Sequence, residues 1–317
     1  MSGPMKERID LHCHYLPPAY YELLRRRDIR ILDGGMKIPD WTPELQLENM
    51  ERLAVKYVCL SVSSPHLHLG DPVEAAETAR ACNEYGAQLM RMYPERFGAM
   101  ASLPLPETEA SIREIRYCTE RRLTGFALMT NSCGVYLGDP RLDPVMEELD
   151  RVNALVSIHP TAPGAVPEGC CDTMPLPFME FFFDSSRTIV NMILHRIFQR
   201  YPNIRFIVPH AGAFLPILED RLSGIPQIFP EMADVDFTGS LAGLYYDLAG
   251  VVMPKQFGNL KKVTAPGHLV YGSDGTFSPP PLSLRLAEEM DAGLTEEEAR
   301  LIYLDNPGRL LGKKVLK

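Results

Sequence analysis

Eight times along this chain a short apolar or β-branched run gives way to a longer stretch with helical periodicity. The short runs fall at 7–11, 54–62, 97–103, 123–129, 154–158, 204–209, 244–249 and 268–272. Helical patterns cover 43–53, 72–92, 106–121, 140–152, 184–201, 214–223, 254–262 and 295–304. Thr42 and Pro43 mark one clear start: a hydroxyl to cap the first turn, then a proline whose missing N–H costs nothing there. Strands alternating with helices pair in parallel through right-handed crossovers, since a twisted strand and a right-handed helix pack together only that way. Eight such units in 317 residues predict an α/β fold, a closed (β/α)8 TIM barrel. A doubly wound open sheet is the weaker option, because no Gly-x-Gly-x-x-Gly turn follows the first strand. No charge block or low-complexity tract divides the chain, and residues 1–4 precede a second methionine, so one barrel domain over 5–317 is expected. The longest interruption, 160–183, follows the fifth strand and is expected to form a lid loop.

Charge and cysteine usage narrow the partners. Lys and Arg total 32 against 41 Asp and Glu, a net charge of −9. A surface of that sign repels nucleic-acid phosphates and anionic lipid, so neither a nucleic acid nor a membrane is expected as a partner. It still permits an acidic substrate, because a buried cation governs its own site. The seven cysteines are odd in number and scattered, which fits reduced thiols in a cytoplasmic protein better than a disulfide framework. No leader-like segment opens the chain, and no apolar run approaches the ~20 residues that span a bilayer. Cys170 and Cys171 are adjacent in a loop-like stretch and could be oxidised.

Four of the eight histidines stand at or just past the C-terminal ends of predicted strands. His12 and His14 follow the first, His159 ends the fifth, His210 follows the sixth, and Asp274 follows the eighth. Barrel active sites lie at that face. In an extended strand, positions i and i+2 share a side, so His12 and His14 turn both imidazoles inward and form half a metal site. His159 and Asp274 could complete it. Three imidazoles and one carboxylate suit Zn²⁺ and tolerate Mn²⁺. A two-metal version would need a bridging group, such as a carbamylated lysine at the end of the fourth strand; that position falls in Ala127–Thr130, which has no lysine. One divalent metal is therefore expected. His66 and His68 read as loop residues at the rim, and His195 and His268 as structural.

The segments IDLHCHYLPP, YPERFGAMASLPL, SIHP, RYPNIRFIVPHAGAFLP and YGSD occur in this order between residues 9 and 274. Together they resemble the amidohydrolase superfamily, and within it the decarboxylases of aminocarboxymuconate semialdehyde, γ-resorcylate and 6-methylsalicylate. The resemblance implies that His12, His14, His159 and Asp274 are the metal ligands and that His210 orients a metal-bound water. Arg221 matches an arginine that reaches a substrate carboxylate across a dimer interface, so a homodimer is expected. Phe178 falls where the semialdehyde enzyme has a tryptophan in a mobile loop. That enzyme's second carboxylate-binding arginine has no counterpart in GGMKIPDWTPE, which carries only Lys37. Trp41, Phe178, Phe181 and Phe214 suggest instead a flat aromatic, hydroxybenzoate-like acid as the small-molecule substrate.

Decarboxylating such an acid leaves an electron pair on a ring carbon, and a free aryl carbanion is too basic for water. The ring carbon must be protonated first, and CO2 then leaves a dearomatised intermediate. Asp274 is the expected proton donor, with His210 assisting, a contribution worth ~10²–10⁴-fold. The alternative is a metal-dependent hydrolase of a lactone, ester or amide, or a related hydratase, in which a metal lowers the pKa of its water toward ~7. A metal- or acid-binding sensor is a further option, though no appended interaction domain is visible.

Overall fold

The computed structural model describes residues 5–171 and 173–312, so residues 313–317 of the expected domain lie outside the described residues. Its main sheet has eight strands: β1 (Arg8–His14), β2 (Val55–Ser61), β3 (Phe97–Ser102), β4 (Gly125–Met129), β5 (Leu155–His159), β6 (Arg205–Val208), β7 (Tyr245–Asp247) and β8 (Leu269–Val270). They pair in chain order, every pair parallel. The stretch after β8 returns to β1: Leu11 N–H donates to Tyr271 O (3.0 Å), Asp274 N–H to His12 O (3.0 Å), and Cys13 bridges Gly275. This return contact makes the sheet a (β/α)8 barrel rather than an open doubly wound sheet. All eight predicted runs contain a strand. Among the described residues, no helix is long and apolar enough to cross a membrane.

Two layers fill the molecule. Inside the lower barrel, Ile9, Leu11, Tyr57, Met100, Leu155 and Ile207 meet, and Leu310 plugs the floor. Outside, Val58, Leu60, Leu128, Ile158 and Val208 pack against the helices. A β-bulge in β1 makes the transition to the site. Asp10 pairs with Val58 and Cys13 with Leu60, three residues set against two. The extra residue breaks strict alternation. Leu11 stays in the barrel floor and Cys13 turns into the helix layer, while His12 and His14 both face inward. Bulges commonly re-aim side chains beside active sites in this way.

Several helical boundaries differ from the sequence expectation. Helices at Pro18–Arg26, Phe237–Gly243 and Pro280–Gly293 fall outside the expected helical stretches; the first and last begin with a proline, which is tolerated in a first turn. The pattern at 184–201 is two helices, Glu180–Leu194 and Ile197–Arg200, broken where Arg196 adopts φ 57°. The pattern at 295–304 is a helix Glu296–Arg300 continuing through a π turn, Leu301–Asp305, into Asn306–Leu311. The segment expected as a loop over 160–183 is shorter than that. A 3-10 turn forms at Leu176–Phe178 and the next helix begins at Glu180, so Phe181 sits on a helix and is buried.

Candidate active site

The upper end of the barrel brings His12, His14, His159 and Asp274 together, with one ligand atom from each lying within 4.8 Å of the others. The His12 and His14 Nε2 atoms are 3.2 Å apart, and Asp274 Oδ1 lies 3.3 Å from His14 Nε2 and 3.7 Å from His12 Nε2. Asp274 reaches this position through a left-handed backbone, φ 54°, which aspartate tolerates better than most residues. Gly272 lets the chain pass close behind: a Cβ there would lie 2.6 Å from His12 Cβ.

Each histidine is oriented through its other nitrogen. His12 Nδ1 pairs with Asp247 Oδ2 at 2.8 Å, His14 Nδ1 with Ser61 Oγ at 3.1 Å, and His159 Nδ1 with the Pro160 carbonyl at 2.7 Å. Ser61 donates its own hydroxyl to Cys13 O, so it accepts from His14. With Nδ1 as the N–H in each ring, the Nε2 lone pair faces the cage, as metal-binding histidines require. Asp247 does more than hold His12. Its Oδ1 also accepts the backbone N–H of His210 (2.9 Å) and of Ala249 (3.1 Å).

The electrostatics favour a cation. At His14, burial and the neighbouring His12 lower the pKa, and at His159 burial and three surrounding imidazoles hold it well below the usual histidine range. Both are therefore neutral near pH 7 and free to donate a lone pair. Burial opposes ionisation of Asp274, but hydrogen bonds with His14 and His210 and the nearby His12 outweigh it and hold the carboxyl well below its usual range. Burial also disfavours a charged His12; the Asp247 carboxylate beside it wins, and its pKa is pushed up to about 9. A cation binding there takes the place of that proton. Three nitrogens and one charged oxygen, each nitrogen pre-oriented, fit one divalent ion.

His210 stands beside this set rather than within it. Its Nε2 is 3.8 Å from Asp274 Oδ2, and its ring stacks on Phe182 with centroids 5.6 Å apart. Thr130 follows β4 where a bridging lysine would stand, and its hydroxyl bonds Asp184 instead. An apolar cavity of about 280 Å³, lined in part by Cys13, Met50, Leu53 and Leu284, opens on the other side of β1, between barrel wall and helices, and is separate from the cage.

The family model described as Amidohydrolase matches residues 9–313. The chain belongs to the amidohydrolase family. It is 34% identical over 295 residues to a decarboxylase, macB, of Penicillium terrestre, covering 86% of this chain and 85% of that protein. It is 32% identical over 302 residues to a 6-methylsalicylic acid decarboxylase of Penicillium expansum, covering 92% of each. A crystal structure described as amidohydrolase II superposes with a TM-score of 0.92 at 37% identity, covering 97% of this chain and all (100%) of that one.

Of the residues expected to contact substrate, Trp41 packs in the outer core, while Phe178 and Arg221 lie on the surface. Trp41 is not brought to the cage: its Nε1–H donates to Gln46 (3.2 Å) and its ring meets Tyr15 and Tyr85 edge-on in the outer core. Phe178 is 73% exposed on the turn after β5. Arg221 is exposed on the helix Leu215–Ser223, with no ion pair or hydrogen bond among the described residues. His66 and His68 sit in the loop after β2, where His68 approaches Glu107 at 3.4 Å and Cys133 at 3.2 Å. His195 caps the helix Glu180–Leu194 and bonds Asn191 O, while His268 stacks on Tyr245 below β8. The sequence reading missed Asp247, Ser61 and Phe182. For Asp247 a signal existed: an acidic residue ending an otherwise apolar strand, LYYDLA.

Proposed function

We propose that this amidohydrolase is a metal-dependent, non-oxidative decarboxylase of a small aromatic, hydroxybenzoate-like acid. The observation that carries the reading is the pairing of a one-metal cage with His210 beside Asp274, in a chain whose curated relatives above 30% identity include decarboxylases. A divalent ion held by His12, His14, His159 and Asp274 supplies positive charge for the substrate's carboxylate and ortho oxygen. Zinc is favoured by the Irving–Williams order, with manganese the second choice. His210 passes a proton to the outer oxygen of Asp274 as substrate binds, and Asp274 delivers it to the ring carbon bearing the carboxyl group. The C–H bond forms, the C–C bond breaks, and the electron pair returns to the ring as CO2 departs. Phe182 beside His210 and Phe277 beside His14 cover one face of each imidazole and limit water there, which keeps the proton transfer directed.

Arg221 is assigned to the site of a second copy. It has no ion pair or side-chain hydrogen bond among the described residues, and Ile217, Ile228 and Phe229 nearby in sequence are 68%, 73% and 48% exposed, an apolar surface suited to a homodimer. Phe178 and the segment after β5 act as the lid, and the protein works in the cytoplasm. The test is turnover of hydroxybenzoates by metal-loaded protein in D2O. CO2 release with deuterium at the vacated carbon is expected. Cleavage of lactones or esters without CO2 release would establish the hydrolase alternative instead.

A further inference from the structure

His68, Glu107 and Cys133 stand on the loops that follow β2, β3 and β4, at the same end of the barrel as the cage. Cys133 is exposed at the tip of a short hairpin, Asn131–Ser132 with Val135–Tyr136. The two tip residues, Cys133 and Gly134, have φ 51° and 76°. Tight hairpin turns of that kind favour asparagine, aspartate and glycine, so turn propensity gives no reason for a cysteine there. What the position does supply is a base. Cys133 Sγ lies 3.2 Å from His68 Nδ1, and on the far side of that ring His68 Nε2 lies 3.4 Å from Glu107 Oε1.

The hydrogen bonds fix the tautomer. Gly70 N–H donates to His68 Nδ1 at 3.2 Å, and a backbone N–H can only donate. Nδ1 is therefore the acceptor, and the ring proton sits on Nε2, where the Glu107 carboxylate receives it. The Nδ1 lone pair is thereby available to the Cys133 thiol. Partial burial and the Glu107 carboxylate push that thiol up, so the resting sulfur keeps its proton and needs a base to lose it. When Nδ1 takes the proton, Glu107 balances the imidazolium, and the N–H of the exposed Gly70 turns to water. A nucleophile, a base within hydrogen-bond reach and a third group orienting the base form the arrangement that activates a nucleophilic side chain.

We propose that Cys133, served by His68 and Glu107, is a thiol that low-molecular-weight disulfides modify at the mouth of the barrel. The Cys133 proton moves to His68 Nδ1, and the sulfur attacks one sulfur of the disulfide. A new S–S bond forms to Cys133, the reagent's S–S bond breaks, and the departing thiolate takes the proton from His68. Cys133 is oxidised and the departing sulfur is reduced, so electrons and protons balance. A disulfide suits a sulfur at an open hairpin tip, because the exchange develops no oxyanion that a pocket would have to stabilise. The inference stands whichever reaction the cage performs.

The test treats the metal-loaded full-length protein with hydroxyethyl disulfide, a neutral reagent, and follows mixed-disulfide formation at Cys133 by peptide mass mapping. A short unstructured cysteine peptide is the reference thiol. Between pH 8.5 and pH 6.5 an ordinary thiol of pKa ~8.5 loses ~50-fold in thiolate, and the peptide should slow accordingly. Cys133 should slow by less than about tenfold and outpace the peptide at least about tenfold at pH 6.5, since its proton goes to a base inside the protein. His68→Asn removes the base and should restore the ~50-fold dependence on pH. Glu107→Gln keeps an acceptor for Nε2–H but not the charge, and should slow Cys133 several-fold at pH 6.5 with less effect at pH 8.5. The wild-type profile decides the matter even if His68→Asn does not fold. A Cys133 profile that matches the peptide, or a folded His68→Asn that reacts as wild type does, overturns the proposal.

Discussion

Replacing Asp247 by asparagine changes one atom of the support behind the cage and should weaken its hold on a metal once His12 has shed its extra proton. Oδ1 of Asp247 accepts two backbone N–H groups, at 2.9 and 3.1 Å, and neither can reverse its polarity. The asparagine carbonyl must therefore stay there, which turns the NH2 toward His12 Nδ1. An NH2 donor fixes Nδ1 as the acceptor and moves the ring proton to Nε2, where the ligand lone pair is needed. Restoring the working tautomer means flipping the amide against two N–H groups or losing the 2.8 Å bond to His12. Either costs about 1.5–3 kcal/mol, or roughly 10–100-fold in metal affinity. An opposing effect exists. Asp247 raises the His12 pKa to about 9, so wild type must expel a proton to bind metal at neutral pH, and the variant need not. That relief fades as pH approaches 9, so the defect should deepen with pH and reach its full size there. Competition against a chelator of known affinity, at pH 7 and pH 9, measures both arms. Equal affinity of wild type and variant at pH 9 would refute the argument that Asp247 sets the His12 tautomer.

Three other predictions follow from the same geometry. Gly272→Ala sets a methyl 2.6 Å from His12 Cβ and 3.1 Å from Ala249 Cβ, so it should cost about 1–3 kcal/mol in urea unfolding and lower the metal content of the purified protein. Glu148 is held to about pKa 2 by Arg151 and Arg116, below its ordinary value; a depressed folded pKa adds stability above pH ~4.5 that is lost as pH falls toward 2. Glu148→Gln should thus cost about 1–2 kcal/mol at pH 7, after allowance for screening of the two exposed arginines, and the gap in denaturant unfolding should close on acidification. Arg221→Ala should raise KM for the acid several-fold while metal content, read by elemental analysis, stays at the wild-type level; loss of metal first would place Arg221 elsewhere.

Reading the chain alone succeeded where the code is local and periodic. Each strand run is short, apolar and bounded by turn residues, so all eight could be located, and their alternation with helices left the barrel as the economical closure. The i, i+2 histidines of β1, His159 and Asp274 were legible because ligand residue types stood at strand ends. Two of the missed helices, Pro18–Arg26 and Pro280–Gly293, begin with prolines, whose tolerance at a first turn is not distinguishable from a loop without knowing what the following apolar face packs against. Trp41 was misplaced for a related reason: aromatic character says that a residue is buried, not on which side of the barrel wall.

What the sequence alone determined, then, was the residue types able to bind a cation and the order in which the strands carry them. Tertiary structure decided which nitrogen of each ring faces the ion, and which loops meet at Cys133. Those depend on contacts between positions far apart in the chain, such as Asp247 with His12 and Cys133 with His68, which exist only once the barrel has closed. A hydrogen-bond partner 65 or 235 residues away leaves no periodic trace, because it is set by three-dimensional distance and not by spacing along the backbone.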